Sequence, residues 1–128
     1  MRSFDLGEVI AERRFVFEAD DGSTRDVDVR LGRPVRDGEA EDEPWMCPFQ
    51  IDGLGSGRVK GIFGVDALQA LTLAMHTIPV ELAYSIRKKG GRLLSFGKPD
   101  TTFLCGCRTA IECAGDAFPR KESEPPRE

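Results

Sequence analysis

Apolar and polar residues alternate with a period of two through the first third of the chain. In "EVIAERRFVFEA", Glu8 to Ala19, the residues Val9, Ala11, Phe15 and Phe17 share one face. Arg13 interrupts that face, and Ile10 and Val16 fall on the other. "RDVDVRL" alternates cleanly, with Val27, Val29 and Leu31 on its apolar side. Both runs have the pattern of half-buried strands. "DDGS", Asp20 to Ser23, supplies turn chemistry between them. Setting Phe17 opposite Val27 and Phe15 opposite Val29 pairs apolar side chains and centres the turn on Gly22 at positive φ. A one-residue slip would put Phe17 opposite Asp26.

A third strand is expected in "WMCPFQI", Trp45 to Ile51, where Cys47, Phe49 and Ile51 share a face. Pro48 has no N–H for a ladder, so this strand is expected at an edge or with a bulge. "GRVKGIFG" reads as a fourth strand. From Asp66 the period changes: Leu68, Leu71, Met75, Ile78 and Leu82 recur at steps of three or four and draw one helical stripe. Asp66 and Gln69 form a capping box, and Lys88-Lys89-Gly90 ends the helix with cations and a C′ glycine. Pro79 removes the hydrogen bond to the Met75 carbonyl, so a kink, or a break near Thr77, is expected. "RLLSF" and "TTFLC" around "GKPD" suggest a closing hairpin. The expected fold is α+β: a mostly antiparallel sheet of four strands, one long helix packed on one face, and a C-terminal hairpin. Residues 1–115 form one domain, and 116–128 a charged, proline-rich tail expected to be disordered.

Composition narrows the function classes. With 128 residues, 40% of them hydrophobic and 31% charged, the chain suits one globular domain. No run approaches the roughly 18 apolar residues of a membrane span, and "MRSFDLGEVIAERR" lacks the apolar core of a secretion signal. A cytoplasmic protein is the expectation. The net charge of −4, with both signs interspersed, argues against nucleic-acid binding.

Three constellations invite chemistry. The first is "DGLGSGRVKG". A phosphate loop needs Gly-Lys followed by a hydroxyl residue, but Lys60-Gly61 runs in reverse order. The dinucleotide fingerprint needs a helix straight after its glycines, whereas Arg58 to Phe63 reads as a strand. A kinase-type loop is one residue longer than "GLGSGRV" allows. The stretch reads as a glycine-rich hairpin turn, with Gly55, Gly57, Arg58 and Lys60 as candidate contacts for an anionic ligand or nucleotide. Arg13, a charge on an apolar face, is either a further ligand anchor or a guard at a sheet edge. The second constellation is Cys47, Cys105, Cys107 and Cys113. Four thiolates suit zinc, but the spacing lacks the paired C-x2-C of zinc sites, and Cys47 points with core residues. The third is His76, the sole histidine, which stands beside the helical stripe with no obvious catalytic partner.

"IAERRFVFEADDG", "VRLGRPV", "WMCPFQIDGLGSGRV" and "IFGVDALQALTLAM" together resemble a family of small bacterial proteins known only as a domain of unknown function. The likeness spans about residues 8 to 100 and leaves out the Cys105–Cys113 segment. It implies a compact bacterial domain and brings no activity, substrate or cofactor. The reading is therefore a non-enzymatic accessory or interaction module, immunity-like or regulatory, with a protein partner or a homodimer, no cofactor, no nucleic acid and no membrane. The alternatives are an anionic-ligand or nucleotide binder at Gly53 to Arg58, and a zinc-stabilised fold.

Overall fold

The computed structural model describes residues 3–38 and 42–99. In chain order these form β1 (Val9–Ala19), β2 (Thr24–Gly32), β3 (Val35–Arg36), β4 (Trp45–Asp52), β5 (Val59–Gly64), α1 (Ala67–Lys89), β6 (Gly91–Ser95) and β7 (Lys98–Pro99). The architecture is α+β: all strand pairs are antiparallel, α1 packs on the sheet and a hairpin follows it. The expected strand at "TTFLC", the 116–128 tail, and Cys105, Cys107 and Cys113 lie outside the described residues, as do positions 39–41 of the acidic loop.

β1 and β2 pair, but two residues away from the expected register. Phe15 faces Val27 and Phe17 faces Arg25, so the turn centres on Asp21. A two-residue shift keeps every side chain on its own face, so alternation alone does not select between the two registers. The turn itself selects. Asp21 Oδ1 accepts from both the Ser23 amide (2.9 Å) and hydroxyl (2.7 Å), and the Gly22 amide donates to the Ala19 carbonyl at 2.9 Å. Gly22 has the expected positive φ of 92°.

β4 is an interior strand, contrary to the edge expected from Pro48. β5 pairs it on one side; on the other, β2 covers Phe49–Asp52 and the short β3 covers Trp45 and Met46. Pro48 lies in the interval between β2 and β3, where neither strand has a register partner for it. The fifth strand before the helix arises the same way: Arg33-Pro34 interrupts one edge partner of β4 and splits it into β2 and β3.

One face of the sheet buries Phe15, Phe17, Val27, Val29, Leu31, Cys47, Phe49, Ile51 and Leu93 against Ala70, Ala74, Ile78 and Leu82 of α1. Asp66 caps the helix, accepting from the Gln69 amide at 2.8 Å, while Gln69 Oε1 accepts from the Val65 amide at 2.8 Å. Gly90, at φ 82°, closes it by donating to the Ile86 carbonyl. The helix does not break at Thr77: it runs unbroken from Ala67 to Lys89, with the Pro79 ring fully buried. The buried stripe is rotated from the expected one. Leu68 is 72% and Met75 53% exposed, and Ala70 and Ala74 take the inner positions. Small residues there let the helix axis come close to a sheet that already carries Phe15, Phe17 and Phe49. Gly64 permits the same close approach where β5 leads into α1, since a Cβ there would stand 2.5 Å from the Ala70 nitrogen.

Candidate functional site

The glycine-rich stretch is the loop of the β4–β5 hairpin, which opens after the Gln50–Val59 pair. Gly53, Gly55 and Gly57 all have positive φ (113°, 68° and 73°), the conformation in which glycine alone is unstrained. Two loop carbonyls are already engaged: Gly53 accepts from Arg25 at 3.1 Å and Gly57 from Gln50 at 2.9 Å. Leu54, 2% exposed, anchors the loop in the core. The glycines are thus spent on a tight hairpin and are separated from the helix by β5.

Gly55, Gly57, Arg58 and Lys60 do come together, lining one cavity beneath this loop with Glu81 and Ser85 of α1. Its volume is about 40 Å³, room for a water molecule or so and none for a nucleotide base. Lys60 Nζ pairs with Glu81 Oε1 at 2.6 Å, which offsets the positive charge an anion would need. Arg13 does not join them. It sits on β1 with its guanidinium 5.0 Å from the centre of the Phe15 ring, donating to the Ser95 hydroxyl at 2.8 Å.

Cys47 packs as a core side chain. Its thiol donates to the Gly32 carbonyl at 3.4 Å, and burial pushes its pKa up to about 11. It is protonated at neutral pH, and the thiolate a zinc site requires would be costly there. Among the described residues, no group of three or more His, Cys, Asp or Glu side chains is placed to hold a metal ion. His76 lies exposed on α1.

A larger cavity than the one under the loop lies beside β1. β6 covers β1 only from Val16 to Ala19. Among the described residues, positions 9–15 pair with β2 on one side and with no strand on the other. Beside this edge, the flank of α1 and the sheet enclose a mostly apolar groove of about 250 Å³, lined by Ala11, Glu12, Arg13, Val29, Leu31, Met75 and Ile78. Val9 and Ile10 are exposed beside it, and Phe96, at the tip of the β6–β7 turn, is 97% exposed. Motif reading missed this groove because no motif encodes it. Its signal was present only as apolar positions on two elements, Ala11 in β1 and Met75 in α1, that were assigned to the core.

The opposite face of the sheet is a charge ladder. Arg14 grips Asp28 with two nitrogens at 2.8 and 3.1 Å, and Arg30 reaches Gln50, Asp28 and Asp52. The hydrogen bonds from Arg14 hold the Asp28 carboxyl below its usual pKa. No helix among the described residues is long and apolar enough to cross a membrane. Comparison with curated proteins and with solved structures gives no match. A family model does match, over residues 11–104, from the open half of β1 through the hairpin loop and the helix to beyond β7: the chain belongs to the family described as a domain of unknown function, DUF6968.

Proposed function

We infer that this domain is a protein-interaction module that takes an extended segment of a partner along the open edge of β1. The observation that supports this is the outer side of positions 9–12, along which no strand among the described residues runs, with a mostly apolar groove beside it. Such an edge presents a row of backbone donors and acceptors, and alternate side chains of an added strand point into a neighbouring groove. Glu12, Arg13 and Arg14 in its centre act as charged guards against indiscriminate pairing. Capture from the native host with the full chain and with an Ile10→Lys/Ala11→Lys variant tests the reading. The expected partner is retained by the native sequence, lost by the variant, and slows hydrogen exchange at positions 9–15. Equal retention by both proteins overturns it. Light scattering on the same samples separates a homodimer from a different partner.

A second reading, a small anion under the β4–β5 loop, is supported by the convergence of Gly55, Gly57, Arg58 and Lys60 on one cavity. A ligand at 100 times its Kd would add about 2.7 kcal/mol of stability. Thermal-shift measurements with phosphate, sulfate and phosphorylated metabolites read this out, and a flat result retires the idea.

A further inference from the structure

At β5 an open strand edge lies beneath an apolar flank of the helix. β5 is bound to β4 on one side, and among the described residues no strand runs along its other side. Above it, Leu73, Val80 and Tyr84 are 41%, 43% and 62% exposed. Spaced at seven and four residues, they form one row along α1 together with Thr77. The row lies on the β5 side of the helix. Glu81, a neighbour of Thr77 and Tyr84 on the helix surface, reaches Lys60 of β5 at 2.6 Å. Met75 and Ile78, on the other flank, line the groove beside β1.

We propose that this edge is a dimer interface, at which a second copy of the chain adds its β5 antiparallel to β5 and packs its α1 against α1 on the same face of the joined sheet. The proposal is independent of the edge-binding reading, which concerns β1. Three observations favour a second copy. The first is spacing. α1 rests on β4 and β5 alike. With strands ~4.8 Å apart, a helix axis midway between these two lies ~2.4 Å inside β5, and the two-fold axis of the new strand pair lies ~2.4 Å outside it. The two helix axes are then ~10 Å apart, the separation at which helices pack.

The second observation is that one axis serves both layers. Paired strand residues share a face, so a two-fold axis normal to the sheet passes through a residue opposite its own copy, never between two such pairs. Gly61 at the centre sets Val59 beside the partner's Phe63, apolar against apolar on the face away from the helix. Lys60 meets Glu81, and a Cβ at Gly64 would stand 2.5 Å from the Ala70 nitrogen, so α1 runs back over β5 and Gly61 lies beneath the helix near Ile78. The middle of the row from Leu73 to Tyr84 falls at the same level, so Leu73 of one copy meets the partner's Tyr84. The third observation is charge. The helices run antiparallel about this axis, which brings the basic last turn, Arg87 to Lys89, toward the partner's Asp66 and opposes the two helix dipoles. A lone strand from another protein would satisfy β5 and leave the row on α1 exposed.

Light scattering on the purified full chain across a wide range of concentration tests the proposal. The expected result is a monomer–dimer equilibrium, with slower hydrogen exchange over Val59–Gly64 as the dimer forms. Val80→Glu, at an exposed position, sets a carboxylate in the helix contact and is expected to weaken the dimer roughly tenfold or more. Tyr84→Asp, further along the same row, is a second route to the same loss should the first variant fold poorly. Met75→Glu, on the opposite flank, and Ile10→Lys/Ala11→Lys on β1 are expected to leave the dimer intact. A monomer at every concentration, a dimer indifferent to both row variants, or a dimer lost in the β1 variant overturns the proposal. So does protection of Val59–Gly64 by a captured partner of another sequence in place of a second copy. The edge-binding reading is tested by the β1 variant, so the two failures are distinguishable. A monomer that still holds its partner refutes only the dimer, and a dimer with no captured partner refutes only the edge reading.

Discussion

The two halves of the sheet obey the same alternation and end up in different surroundings. Where β2, β4 and β5 lie under α1, in-phase apolar residues are sealed: Val27 and Cys47 are 0% exposed and Phe49 is 1%. Along the first half of β1 the same phase leaves Ala11 exposed at the mouth of the groove. The difference is coverage. One helix placed on a broad sheet buries what lies beneath it and leaves a wedge beside it. An apolar pattern that continues into such a wedge leaves apolar side chains exposed beside the helix, and the edge-binding proposal rests on that feature.

The sharpest way to break this comparison is to truncate one residue on each side of it. Phe49→Ala is expected to cost about 3–5 kcal/mol, and Ile10→Ala, on the exposed edge, no more than ~0.5 kcal/mol, both read from urea unfolding. Similar losses would show that the two halves are equally packed. Gly64→Val tests the close approach that places the helix. It pushes a branched side chain into the Ala70 backbone and is expected to cost about 1–3 kcal/mol. A smaller contrast lies within α1 itself. Met75→Ser, half-exposed beside the groove, is expected to cost about 1 kcal/mol, whereas Tyr84→Ser, 62% exposed, costs a few tenths in the monomer. Equal costs would show that the groove side of the helix is packed no better than its open side.

The smallest expected effect is on the charge ladder. Asp28 has a depressed pKa in the folded protein, so its contribution to stability is present above the carboxylate's ordinary pKa and is lost as pH falls through the depressed one. Arg14→Ala removes the main cause. Acid unfolding of the variant is therefore expected to lose this pH-dependent component, and carboxyl NMR to show Asp28 titrating nearer its ordinary value.

Much of the fold was legible residue by residue. The caps at Asp66 and Gly90 were readable because capping is local: three or four residues and their own backbone decide it. The positive φ of Gly22 was readable for the same reason. The hairpin register was not, because two registers differing by two residues place the same faces inward, and the choice fell to hydrogen bonds made by Asp21. The position of β4 was misjudged because Pro48 forbids a ladder bond only where a partner needs one, and the interval between β2 and β3 removes that need. Of the five candidate ligand residues, four share a cavity and Arg13 lies elsewhere. Sequence separation carried no information about which would converge.

By itself, the sequence determined the α+β class, the main strands and the helix with its ends, and the face that most strand side chains take. These follow from periodicity, turn chemistry and capping, which act over a few residues. Only the tertiary structure decided which in-phase apolar residues are sealed. That depends on the rotation and lateral position of α1, set by how Ala70, Ala74 and Gly64 fit against the phenylalanines of the sheet. Periodicity names a face, but burial requires something opposite it, and β1 shows a strand whose pattern runs on past its cover.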